Sequence, residues 1–161
     1  MRKFPAVIQE DGDHPGSYFF SAYLNIPSLS KTGPINILLD TGSEENIIGE
    51  NDLKKLGINI ADLPIAARQV GGWGGSAETH EIADNDCCLI LTDDAKQSEA
   101  FSMPLSLCAK NPKETKEFRK KGLTKSKTMA IPSVIGRSFL LHNDLLVHID
   151  TKRKDIYLFT R

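Results

Sequence analysis

The feature that most constrains this chain is an apolar run of strand length, residues 35–39 (INILL), that stops at Asp40-Thr41-Gly42-Ser43. Five residues, four of them apolar, are too few for a buried helix and enough for a core strand. A strand halted by Asp and Gly delivers a carboxylate to a tight turn. The other apolar segments are equally short. Residues 18–26 (YFFSAYLNI) are aromatic and β-branched and end at Pro27, while residues 87–91 (CCLIL) and 101–107 (FSMPLSL) read as further strands. Residues 133–136 (SVIG), 146–150 and 156–159 are strands as well, the last two joined by a polar turn into what reads as a self-contained hairpin. Residues 68–82 (RQVGGWGGSAETHEI) place four glycines around Trp73 between two polar arms, the pattern of a hairpin. Helical signals are confined to two places. Asn51 or Asp52 can cap a short helix through Leu56, ended by Gly57, and residues 137–145 suit a second. The expectation is a mainly β chain with one or two short helices and no internal repeat.

With 161 residues, the chain suits one domain spanning residues 1–161. Hydrophobic residues at 40% and charged residues at 25% match globular proteins, which excludes whole-chain disorder. The net charge of −1 is unevenly spread: residues 110–127 hold eight Lys and Arg against two Glu, so the rest carries about −7. Nothing apolar in that stretch repeats at helical spacing, and only Phe118 is available for stacking on a base. It reads as a solvated basic insertion at about residues 109–128, with no nucleic-acid partner expected. The three cysteines lack the spacing of a disulfide framework or zinc site, which fits a reducing compartment. No apolar run approaches the roughly 20 residues of a membrane span, and the first residues lack an apolar stretch of leader length. A soluble cytoplasmic protein without membrane partner, metal or cofactor is expected.

Asp40 is the residue on which chemistry would rest. Gly42 permits close approach of another backbone, and the hydroxyls of Thr41 and Ser43 are placed to hold and tune the carboxylate. The plain alternative is a polar turn capped by Asp40. Residues 72–77 (GWGGSA) also fit a degenerate dinucleotide fingerprint, with Asp93 or Asp94 about twenty residues on. Against it, residues 67–70 make a poor buried strand and residues 78–86 lack an apolar helical face. The four histidines, at 14, 80, 142 and 148, have no metal-ligand spacing and pair with no Ser or Cys nucleophile motif.

Three segments together, ILLDTGSEENII, VGGWGGSAE and SVIGRSFL, resemble in that order the active-site loop, flap tip and Gly-Arg segment of retropepsins, the single-domain aspartic proteases of retroviruses and related cellular proteins. The resemblance covers residues 18–91 and 131–159. It implies a closed, mainly β acid-protease barrel with a flap hairpin and an active site at a homodimer interface. It also implies an aspartic endopeptidase acting on peptide or protein substrates. Asp40 aligns with the catalytic aspartate, Thr41 with the threonine that bonds to the partner loop, and Gly42 with the glycine beside the substrate. Gly72, Trp73 and Gly74 fall in the flap, where Trp73 covers the site, reaches the opposing flap or packs as a hydrophobic anchor. Glu44 falls where the family often has an aspartate, and Arg137 on the arginine that pairs with it. Ser43 stands where many viral members carry alanine. A Ser43 hydroxyl donating to Asp40 would favour the charged carboxylate and an acidic optimum. The alternative function is a dimerisation or peptide-binding module of the same fold. Two departures stand out: the basic insertion, and a C-terminal hairpin in place of interleaved chain ends.

Overall fold

The structure, a computed structural model, describes residues 1–11, 14–63, 68–72, 75–110, 116–117, 120–122 and 130–161. Most of the basic insertion, along with Trp73 and Gly74, lies outside the described residues. In chain order the strands are β1 (Lys3–Pro5), β2 (Val7–Asp11), β3 (His14–Ile26), β4 (Lys31–Leu39) and β5 (Ile47–Ile48). Helix α1 (Glu50–Lys55) follows, then β6 (Arg68–Gly72), β7 (Gly75–Ile82), β8 (Cys88–Thr92), β9 (Ser98–Ser102) and β10 (Leu105–Lys110). The chain closes with β11 (Val134–Ile135), helix α2 (Arg137–His142), β12 (Leu145–Asp150) and β13 (Asp155–Thr160). The fold is mainly β with short helices, as the short apolar runs require. No helix among the described residues is long and apolar enough to cross a membrane.

Ten strands form one sheet in the order β6-β7-β10-β5-β11-β4-β3-β8-β9, with β2 added on β3. Strand β4 is half-buried by alternation: Ile35, Ile37 and Leu39 point into the core while Thr32, Pro34 and Asn36 face out. The 101–107 run divides. Pro104 follows Met103, lacks an N–H for a ladder, and separates β9 from β10. Helix α1 starts one residue before Asn51, with Gly49 as its cap and no capping side chain. Asp52 is buried instead, accepting from the Ser133 hydroxyl at 2.6 Å and the Lys55 ammonium at 2.7 Å. Gly57 does end this helix, at a φ of 64° that favours glycine.

The C-terminal hairpin is not self-contained. Strand β1 pairs with β13, giving a three-stranded sheet in the order β1-β13-β12. A row of edge-to-face aromatics joins it to the rest: Phe4 meets Phe101 at 5.3 Å between centroids, and Phe101 meets Phe139 of α2 at 6.0 Å. Each such contact adds about 0.5–1.5 kcal/mol to the area buried.

Charge pins the N-terminal strand from outside the core. The Arg2 guanidinium bonds Asp93 at 2.8 Å and Glu99 at 2.9 Å, and Asp93 also accepts the Gln97 N–H at 2.7 Å. The Gln97 amide, opposed by burial and reinforced by Arg2, holds the Asp93 carboxyl below its usual range. A depressed carboxyl contributes stability above its unfolded pKa of about 3.9 and loses it as pH falls through the folded value. Urea midpoints should therefore drop below about pH 4. Asp93→Asn should flatten that part of the pH profile, and an unchanged slope would count against this role for Asp93.

Candidate active site

Asp40 is placed by a strand inserted from far along the chain. Strand β11 pairs in parallel with β4, Val134 beside Leu38 and Ile135 beside Leu39, and antiparallel with β5 through Val134 and Ile47. Because β11 lies between β4 and β5, the seven residues of chain joining the latter pair, 40–46, must loop around its end. Asp40 leads that loop. Its N–H donates to the Ile135 carbonyl at 3.1 Å, so the ladder runs up to the aspartate itself. The Gly42 N–H donates to Asp40 Oδ1 at 2.9 Å and the Ser43 N–H to the Asp40 carbonyl at 3.1 Å, which closes the turn. Asp40, Thr41 and Gly42 are all exposed, and the Thr41 hydroxyl has no partner among the described residues.

The far end of the loop is held by a residue that the sequence does not single out. Asn46 is 2% exposed. Its Nδ2 donates to the Pro104 carbonyl at 3.0 Å and the Ser138 hydroxyl at 2.9 Å, and its Oδ1 accepts the Gly136 N–H at 2.9 Å. One amide thus joins the loop to Pro104 just before β10, to Gly136 just after β11, and to α2. The first amides of α2 turn to the same loop: Arg137 N–H donates to the Ser43 carbonyl at 2.9 Å and Ser138 N–H to that of Glu44 at 3.3 Å. Gly136 allows this approach. A methyl there would lie 2.6 Å from the Ser43 carbonyl oxygen and 2.7 Å from that of Glu45. Since both neighbours are backbone, Gly136→Ala should cost about 1–3 kcal/mol in chemical denaturation and displace the Asp40 loop. A denaturation midpoint equal to wild type would show that the loop yields freely.

Ser43 departs from expectation. Its hydroxyl donates to the Glu45 carbonyl at 3.0 Å and not to the Asp40 carboxylate, because the tight turn points it along the loop. The Ser43–Asp40 hydrogen bond expected from the sequence is therefore absent within the protomer. Glu44 and Arg137 do pair, Arg137 NH2 donating to Glu44 Oε1 at 2.9 Å. Both are exposed, so the pair is worth no more than about 1 kcal/mol. A tether not foreseen is Arg68, at the foot of the β6–β7 hairpin, whose guanidinium lies 3.2 Å from Glu45 and 3.5 Å from Glu81. It links the hairpin to the Asp40 loop. A depression of about 270 Å³ beside that link is lined by Glu44, Glu45, Asn46, Glu81, Ser106 and Ser138, while Asp40 stands on the open surface.

Gly71, Gly72 and Gly75 sit on two paired antiparallel strands, with Gly72 opposite Gly75. A dinucleotide fingerprint needs a strand leading into a helix, so that alternative fails. Trp73 and Gly74 fall outside the described residues. Burial pushes the Cys87 thiol up to about 12 and that of Cys108 up to about 11, which removes both as nucleophiles. His142 Nε2 does lie 3.2 Å from the Ser102 hydroxyl, a pairing the sequence did not suggest. Among the described residues no carboxylate orients the ring, as a serine nucleophile's base requires.

No protein-family model and no curated protein matches the chain. Among solved structures it is similar to a retropepsin-like aspartic protease from Rickettsia conorii, with a TM-score of 0.52 and 16% identity over 99% of each chain. At that identity the likeness is one of fold: the chain has the retropepsin-like fold.

Proposed function

We propose that this protein is an aspartic endopeptidase acting as a homodimer, with Asp40 of each copy forming the catalytic pair. The observation that carries the reading is the setting of Asp40: an exposed carboxylate at the end of β4, with the Gly42 N–H on Oδ1, within a retropepsin-like fold. An aspartate alone on an open surface cannot both take and give protons in one hydrolysis. A second copy of the same loop supplies what is lacking. Two carboxylates at hydrogen-bond distance cannot both ionise, so they share one proton. The ionised member takes a proton from a water that attacks the scissile carbonyl, and the protonated member donates to the developing oxyanion. The proton then passes to the leaving amine.

In the same proposal the exposed Thr41 hydroxyl reaches the partner loop and Gly42 lies beside the substrate backbone. The β6–β7 hairpin serves as a flap, with Gly72, Trp73 and Gly74 over an extended peptide and Ser43 lining its path. Closure of the large sheet into a barrel and a single domain with a basic insertion belong to this reading. So does a cytoplasmic setting, suited to three unpaired cysteines.

The test is cleavage of an unfolded protein between about pH 4 and 6, the range in which a carboxylate pair shares a proton, with and without a statine inhibitor that mimics the tetrahedral intermediate. Cleavage blocked by the inhibitor supports the peptidase. Absence of cleavage under all these conditions would leave a peptide-binding or dimerisation module of the same fold.

A further inference from the structure

The small sheet has two edges, and they are treated differently. Thr160 N–H donates to the Arg2 carbonyl and Ala6 N–H to that of Ile156. Even-numbered residues of β13 therefore bond toward β1, and odd-numbered ones toward β12. Through the register Tyr157 with His148 and Phe159 with Leu146, the even-numbered residues of β12 bond back to β13. The N–H and C=O groups of Leu145, Val147 and Ile149 consequently point out from the far edge. At the β1 edge, Pro5 has no N–H to offer, and the Lys3 carbonyl accepts the Asp94 N–H at 3.1 Å. The β12 edge has no such guard. Among the described residues nothing bonds to it, and Ile149 is 46% exposed there.

We propose that β12 is the dimer interface, pairing antiparallel with β12 of a second copy about a two-fold axis at Val147. The inference rests on the homodimer reading and names the surface that reading leaves open. The outward groups select this register. Val147 faces the partner's Val147, and Leu145 faces the partner's Ile149, so every outward N–H and C=O of the strand is matched. The side chains opposed in this way are apolar and branched, as stable cross-strand pairs require. On the other face Leu146 comes beside the partner's His148, and His148 is already stacked on Tyr157 at 4.6 Å. The ends bring no bare like charges together, because Asp144 is paired with Arg161 and Asp150 with Arg153. Each three-stranded sheet would become half of a continuous one, β1-β13-β12 followed by the partner's strands in reverse order. No exchange of chain ends is needed.

The full chain is tested by sedimentation and by cysteine cross-linking. Wild type should sediment at twice the 17.8 kDa protomer, and Ile149→Lys, placing a solvated charge opposite the partner's Leu145, at the protomer mass with an unchanged far-UV spectrum. Val147→Cys should cross-link under mild oxidation well above the wild-type background, because facing Cα atoms lie about 5.5 Å apart in such a pair, within disulfide range. Ile149→Cys should not, its two copies being about 13 Å apart along the strands. A dimeric wild type whose Ile149→Lys variant stays dimeric, or whose Val147→Cys variant cross-links no better than Ile149→Cys, overturns this interface and leaves the homodimer standing. A monomeric wild type overturns both.

Discussion

Asp40→Asn is expected to lower turnover of an unfolded protein substrate by at least roughly 10²–10⁴-fold, the range for loss of general acid and base catalysis. The substitution removes the ionisable group and little else. The Gly42 N–H donates to Asp40 Oδ1, and an amide oxygen accepts the same bond, so the turn and the strand before it should keep their geometry. Sedimentation and the denaturation midpoint should accordingly match wild type, which separates lost chemistry from lost folding. Equal cleavage by wild type and Asp40→Asn would sink the peptidase assignment and point to a contaminating protease.

Asn46→Ala is expected to cost about 3 kcal/mol in chemical denaturation, more than most single substitutions. The loss of three hydrogen bonds is only part of the reason. Alanine leaves the buried Gly136 N–H without its side-chain partner, and a polar group stranded away from water carries its full desolvation penalty. Ser138→Ala removes only one, part-buried, of the three Asn46 contacts and should cost about 1 kcal/mol. A midpoint for Asn46→Ala within about 0.5 kcal/mol of wild type, the range of ordinary surface substitutions, would mean that the loop is held by its backbone bonds alone.

Much of the strand set was legible because burial on one face imposes a period that a single segment displays. Residues 35–39 form the end of β4, residues 68–72 and 75–82 form the paired strands β6 and β7, and residues 133–136 contain β11. Strands β1 and β2 were not recognised, since Lys3, Pro5 and the acidic residues of β2 dilute the pattern. The division at Pro104 was visible in principle, as proline interrupts a ladder wherever its missing N–H was needed. At the site, the Glu44–Arg137 pair was anticipated, whereas the Ser43 hydroxyl turned elsewhere and Arg68 and Asn46 went unnoticed. A hydroxyl has several acceptors within a tight turn, and composition does not rank them. A buried amide looks in sequence like any surface asparagine.

By itself the sequence determined the local elements and the residue that could carry chemistry: a short apolar strand ending in Asp40-Thr41-Gly42, a glycine-rich hairpin, and a late Val134-Ile135-Gly136-Arg137 segment. These are local properties, set by side-chain period and turn stereochemistry. Only the tertiary structure decided that β11 slots between β4 and β5, that Asn46 ties the loop to α2, and that β1 guards one edge of the small sheet while β12 leaves the other open. Those outcomes depend on which distant backbone groups meet, and hydrogen-bond partners some ninety residues apart leave no periodic trace in the chain that makes them.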